Sequence, residues 1–309
     1  MFNLWGRAVI IRAVRRFFDR RGYLEVETPL RLPTLAPEPH LLPQRSGQWF
    51  LQTSPELCMK RLLARGIPKI YQICKCFRRE ERGSRHLPEF TMLEWYRAEA
   101  DYCDLMSECE ELLPAVAAAL ADTAGTEREL ARPRPETALF AGPGNHLAPS
   151  WERLTVAEAF RRYAGIEVEE ALRRDLFDQL LVERIEPRLG QGRPTFLCDY
   201  PAALGALARL SPTNPAVAER FELYVKGLEL ANGFSELTDP AEQRRRFEGD
   251  RALIRAAGRR PPPLPRRFLA DLAEMPPAAG IALGIDRLAM ILLGAERIDQ
   301  VQAFTPEQL

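Results

Sequence analysis

Between Tyr71 and Arg97 the chain reads YQICKCFRREERGSRHLPEFTMLEWYR. No other stretch limits the possible folds as much. Tyr71, Ile73, Cys74, Cys76 and Phe77 make a β-prone apolar run. Phe90, Met92, Leu93, Trp95 and Tyr96 make a second, with Glu94 set inside it. Residues 78–86 lie between them and are mostly charged. Two such runs around a polar connection predict an antiparallel hairpin. Arg78 and Glu80, two residues apart at a strand end, are expected to share a face. An arginine fork there can clamp a phosphate while the carboxylate accepts hydrogen bonds from an amine. A salt-bridged surface hairpin would carry the same FRxE pattern.

Beyond FRxE, the longer run FRREERGSRHLPEFTMLEWY resembles motif 2 of class II aminoacyl-tRNA synthetases, in the form found in lysyl-tRNA synthetases and their relatives. The resemblance implies that Arg78 holds the ATP α-phosphate and the substrate carboxylate. It places Arg79, Glu80 and His86 around the nucleotide and stacks Phe90 on adenine. Glu94 and Tyr96 fall on the substrate side.

Upstream, residues 4–21 have helical period, with Trp5, Ala8, Val9, Ala13, Phe17 and Phe18 mostly on one side. Gly22 ends the helix. Residues 23–29 alternate as a strand into Pro29. RGYLEVETPLRLP resembles class II motif 1, which implies a homodimer with Pro29 near its two-fold axis. Residues 31–48 are proline-rich and polar, and predict a loop. In WFLQTSPE, Ser54 suits a helix N-cap, Pro55 the first helical position and Glu56 the positive helix end. TSPELCMKRLL also resembles the family segment that shapes the amino-acid pocket, which sets Ser54, Pro55 and Glu56 beside the substrate. An acidic residue there suits a cationic substrate, because a buried ammonium needs a partner.

A helix is expected over 104–120, then a Pro-, Gly- and Ala-rich insertion over 123–150 that carries His146. Helices over 154–163 and 169–185 and a strand over 194–201 follow, with a helix-like segment after the strand. In RFELYVKGLELANGFSELTD, Phe221, Leu223 and Val225 alternate as a strand. Gly227 turns the chain, Leu228 and Leu230 resume the alternation, and Asn232-Gly233 suits a tight turn. Glu229 and Glu236 then bracket that turn, where two carboxylates could hold Mg²⁺ beside a polyphosphate. ELANGFSEL resembles the lysine-type segment of the family. That implies Glu229 on ATP-bound metal, Leu230 beside the nucleotide, and Asn232, Phe234 and Glu236 at the substrate, with Glu236 near its amino group or the metal.

A charged helix is expected over 240–257, then an extended RRPPPLP connector. GIALGIDRLAMILLG begins with a strand closed by Gly284, after which Asp286 can cap a helix with Arg287 in its first turn. It resembles motif 3, which puts Gly284 and Arg287 at the nucleotide, with Arg287 on the γ-phosphate.

The 43 basic and 43 acidic residues cancel, so no broad nucleic-acid footprint is advertised. No apolar run could span a bilayer, and Arg7 and Arg12 interrupt the first apolar residues, which does not read as a signal peptide. The six cysteines show no zinc spacing and suit reduced thiols of a cytoplasmic protein.

With motifs 1, 2 and 3 in order, the resemblance implies one α+β catalytic domain over 1–309, an antiparallel sheet flanked by helices. It implies ATP and Mg²⁺ as cofactors. The motif 1 helix starts so early that no anticodon-binding OB-fold domain is expected, and hence no tRNA partner. The chain resembles the stand-alone elongation factor P β-lysine ligases. These adenylate (R)-β-lysine and transfer it to a lysine of elongation factor P. Ala282 stands where lysyl-tRNA synthetases usually carry glycine, which would reshape the amino-acid pocket. Leu87 departs from the family's usual His-Asn-Pro and cannot make the Asn hydrogen bond. A truncated lysine–tRNA ligase and a non-catalytic lysine- or ATP-binding paralogue are the alternatives. Loss of Arg78, Glu229, Glu236 or Arg287 would favour the second, and all four are present.

Overall fold

The computed structural model describes residues 2–122 and 151–309. The expected insertion over 123–150, with His146, lies outside the described residues.

The motif 2 hairpin is the spine of the fold. Strand β5 (Lys69–Phe77) pairs antiparallel with β6 (Glu89–Ala98) in continuous register. Four further strands extend the sheet: β8 (Thr195–Pro201), β9 (Val217–Val225), β10 (Leu228–Ser235) and β11 (Ala278–Gly284). The short strands β1 (Leu24–Glu25) and β7 (Glu152–Thr155) close its edges. The order is β1-β5-β6-β11-β10-β9-β8-β7. The six inner strands are antiparallel, as expected, but both edge pairs, β1–β5 and β7–β8, are parallel. The expected loop over 31–48 contains two strands of a small separate sheet, β2 (Arg31–Leu32) and β3 (Arg45–Ser46), which flank β4 (Trp49–Leu51).

One face of the sheet is sealed by three helices: α1 (Phe2–Arg20), α3 (Tyr102–Ala121) and α6 (Ile285–Leu293). Alternation along β6 sends Leu93 and Trp95 into that layer, and Glu94 and Tyr96 to the other face. Phe18 of α1 stacks on Tyr71 at 4.8 Å and meets Tyr23 and Trp95 at 5.1 and 5.2 Å. Such pairs add about 0.5–1.5 kcal/mol each beyond area burial. Glu108 of α3 accepts from Tyr23 Oη at 2.7 Å and Trp95 Nε1 at 2.8 Å. That one carboxylate therefore ties α3 to β6 and to the end of the motif 1 helix.

The opposite face carries α2 (Glu56–Leu63), α4 (Pro240–Ala256) and α5 (Arg266–Asp271) at one end. Its centre is left open. Leu154 belongs to a strand, not to the helix expected over 154–163, because Thr155 caps a helix that starts at Val156. The helix expected over 169–185 breaks at Asp175, whose φ is +55°. Only one helical turn, Ala202–Leu204, follows β8.

Candidate active site

The open centre of the sheet is the floor of a cavity of about 580 Å³. One register row crosses four strands beneath it: Glu94 of β6 faces Ala282 of β11, Ala282 faces Asn232 of β10, and Asn232 faces Glu222 of β9. The row is non-local in sequence, and it decides which polar groups share the floor.

At one end lie arginines. Arg78 follows β5 directly, and its backbone N–H donates to Pro88 O at 2.9 Å. Its guanidinium lies over the Phe90 ring, 5.1 Å from the centroid, and both residues line the cavity. Arg287, in the first turn of α6, donates from Nη1 to Glu229 O at 2.8 Å and reaches Glu229 Oε2 at 3.3 Å. Its Nη2 lies 2.6 Å from His86 Nε2. A guanidinium can only donate, so this nitrogen accepts and the imidazole is neutral. Burial and the Arg287 charge lower the His86 pKa in the same direction. Asp286 does not cap α6. Its carboxylate accepts from Thr91 N at 2.9 Å and pairs with Arg7 Nη1 at 2.5 Å, which fastens the start of α6 to β6 and α1.

Arg79 and Glu80 fall elsewhere. β5 ends at Phe77, and Glu80 takes a left-handed φ of +69°. Strand alternation therefore stops before Glu80, which pairs with Arg79 at the surface. Glu81 faces the cavity in its place, 3.9 Å from Arg78.

Asn232-Gly233 is not a turn. Both residues lie inside β10, which pairs on both sides. The hairpin turn is Lys226-Gly227, with φ of +52° and +68°. A two-residue loop with both φ positive matches the twist of the flanking strands. Leu230 is an extra residue, a bulge against β9. It restores parity, so Glu229 and Asn232 share the cavity face although three residues apart. Glu229 and Glu236 do not converge. Seven residues of extended strand separate them by on the order of 20 Å. The carboxylate beside Glu229 is Glu222, held by Tyr224 Oη at 2.7 Å and Arg220 Nη2 at 2.6 Å. Desolvation and the Glu222 charge raise the Glu229 pKa. Strand alternation in FELYV put Glu222 opposite the Phe221 face, and that was the available signal.

The other end is acidic. Glu94, 1% exposed, accepts from Ser54 Oγ and Tyr96 Oη, both at 2.7 Å. Burial, with the nearby Glu56 charge, pushes its pKa up to about 7 against those hydroxyls. Ser54 Oγ also accepts from Glu56 N at 2.9 Å, so it serves the helix start and the site together. Glu56, Phe234 and Tyr96 line this end, as Ala282, Leu230 and Gly284 line the floor. Pro55 and Glu236 do not reach the lining. Glu236 lies behind Gly280, paired with the buried Lys60 at 2.5 Å. Leu87 is buried at the cavity edge, in the apolar core.

An arginine end and a carboxylate end of one cavity suit a ligand with phosphates at one side and an ammonium at the other. The profile of the family described as tRNA synthetases class II (D, K and N) matches residues 2–308. The chain is 41% identical to an elongation factor P–(R)-β-lysine ligase of Enterobacter sp. over 317 residues, 99% of this chain and 95% of that protein. Proteins of the same name from Erwinia tasmaniensis and Proteus mirabilis are 42% and 43% identical. They cover 99% and 98% of this chain, and the chain covers 95% and 94% of them. With the motif 2 and motif 3 segments meeting around one cavity and the match running over residues 2–308, the chain belongs to the class II (D, K and N) tRNA synthetase family.

Proposed function

We propose that this chain activates (R)-β-lysine with ATP and transfers it to a lysine side chain of elongation factor P. The observation that carries the reading is the two-ended cavity, arginines at Arg78 and Arg287, buried carboxylates at Glu56 and Glu94. It is joined by near full-length similarity to proteins of that name.

The substrate carboxylate attacks the α-phosphorus of ATP. The bond to pyrophosphate breaks and an aminoacyl-adenylate forms. The acceptor amine then attacks its carbonyl carbon, loses a proton and expels AMP, leaving an amide. Arg78 is assigned to the α-phosphate and substrate carboxylate, Arg287 to the far phosphates, and Phe90 and His86 to the nucleotide. Fixed arginines in a walled cavity stabilise developing charge without reorganising, so catalysis is mostly positioning and electrostatics. Glu94, Tyr96 and Ser54, with Glu56, are assigned to the substrate's ammonium groups, and Asn232 and Phe234 to its chain.

Glu229 and Glu222 fit a hard divalent cation: both carboxylates line one cavity, and the Glu222 charge helps raise the Glu229 pKa. Mg²⁺ bound there would supply positive charge to the triphosphate. Glu236 is reassigned from metal to pocket support. The motif 1 segment and its helix leave Trp5, Leu24 and Leu30 exposed, 45%, 52% and 42% accessible, and these apolar side chains support a homodimer through that segment. Among the described residues, no helix is long and apolar enough to cross a membrane. The reaction is assigned to the cytoplasm only on the ground of its proposed acceptor, elongation factor P.

The test is ATP–pyrophosphate exchange with (R)-β-lysine and α-lysine in parallel, followed by transfer to elongation factor P or to tRNA. Exchange strongly favouring β-lysine, lost in Arg78→Ala by about 10²-fold or more, is expected. Exchange with α-lysine alone, or transfer to tRNA only, would sink the reading.

A further inference from the structure

Lys60 of α2 is 1% exposed and lies just behind the acidic end of the cavity. A buried ammonium is costly unless it is paired. Here its Nζ meets Glu56 Oε1 at 2.6 Å and Glu236 Oε2 at 2.5 Å, with the Phe234 ring centroid 5.0 Å away. Burial opposes its charge, but the two carboxylates outweigh that and hold its pKa above the ordinary value. Two carboxylates and an aromatic face are what a protein would use to recognise a free alkylammonium. Glu56 and Phe234 also line the cavity, whereas Lys60 and Glu236 do not. The cation seat therefore stands directly behind the cavity wall, and the chain's own four-carbon ammonium fills it.

We propose that Lys60 is a specificity-determining residue: an internal ammonium that occupies the inner of two cation subsites and so limits how deep a diamino acid can reach. The outer subsite is Glu94 with Ser54 and Tyr96. The inference rests on the amino-acid end of the cavity being where the substrate ammonium binds. A purely structural ion pair would affect stability and leave substrate length preference unchanged.

The test compares the wild type with Lys60→Ala, which empties the seat, and Lys60→Met, which fills its volume without charge. Two readouts are taken. The first is the melting temperature in n-butylammonium chloride against equal sodium chloride. The second is the ratio of kcat/KM for lysine-type substrate and its homologue one carbon longer. n-Butylammonium, which can also reach the outer subsite in all three proteins, is expected to raise the Tm of Lys60→Ala more than that of either other protein. The longer homologue should gain about tenfold or more in Lys60→Ala, the scale of one methylene in a pocket, and n-butylammonium should cancel the gain. An Lys60→Ala protein that responds to n-butylammonium as to sodium chloride, or the same length ratio in all three proteins, overturns the proposal. If the wild type activates no diamino acid, the functional reading fails instead, and the Tm readout alone decides the seat. Should Lys60→Ala not fold, Lys60→Ala/Glu236→Gln removes the uncompensated buried carboxylate and is read in the same two ways.

Discussion

Glu94 and Ala282 stand directly opposite each other across the β6–β11 ladder, and both line the cavity. The Ala282 methyl therefore sits on the floor beside the carboxylate assigned to a substrate ammonium. Ala282→Gly removes that methyl at a cost of about 0.5–1 kcal/mol in strand stability. It should relax the preference for β-lysine over α-lysine by at most about tenfold. The ratio of kcat/KM values for the two isomers checks this, and an unchanged ratio removes Ala282 from selectivity.

Glu222 and Glu236 separate the two readings of the metal site. Glu222→Gln is expected to raise the Mg²⁺ concentration needed for half-maximal exchange by about tenfold or more, the scale of losing a supporting metal-site group. Glu236→Gln should leave that requirement unchanged and raise KM for the amino acid. Magnesium titrations of the two variants decide it; the reverse pattern would restore Glu236 to the metal.

Burial, with the nearby Glu56 charge, lifts Glu94 to about 7, above its unfolded value. Its contribution to stability is thus present at low pH and lost as pH rises through the folded value. A cationic substrate favours the ionised form, so its effect runs the other way. The Tm increase caused by substrate should grow from about pH 6 to about pH 8. In Glu94→Gln the growth should be smaller. A substrate-induced shift that is flat over that interval would show that Glu94 does not titrate with binding.

Gly280 has no room for a side chain. A Cβ there would lie 2.2 Å from Tyr96 Cε1 and 2.5 Å from Glu236 Oε1. Gly280→Ala must displace one or both, costing about 1–3 kcal/mol. It should raise KM for the amino acid more than KM for ATP, since the nucleotide end is untouched. Equal rises in both would point to general loosening of the sheet.

Much of this was legible from local wording. The hairpin of Tyr71 to Arg97, the helices at 4–21 and 240–257, and the strand before Arg287 follow from periodicity and punctuation. Their composition already carries the needed apolar faces. Errors arose where one residue changes parity. Glu80 was expected beside Arg78, but a left-handed φ puts Glu81 there. Asn232-Gly233 looks like a turn because these residues favour turns, yet pairing on both sides keeps them in β10. Lys60 lies within a segment already singled out, and nothing in its spacing marks it as a buried ion.

The sequence by itself determined the family, the central hairpin that leads into Arg78 and the strand-to-helix step that carries Arg287, because those depend on short-range pattern and motif wording. The tertiary structure alone decided which carboxylates lie together. The Leu230 bulge and a register row through four strands bring Glu222 to Glu229 and leave Glu236 to Lys60. The reason is physical: side-chain direction along a strand reverses at every residue, so one inserted residue or one left-handed turn reassigns every group beyond it.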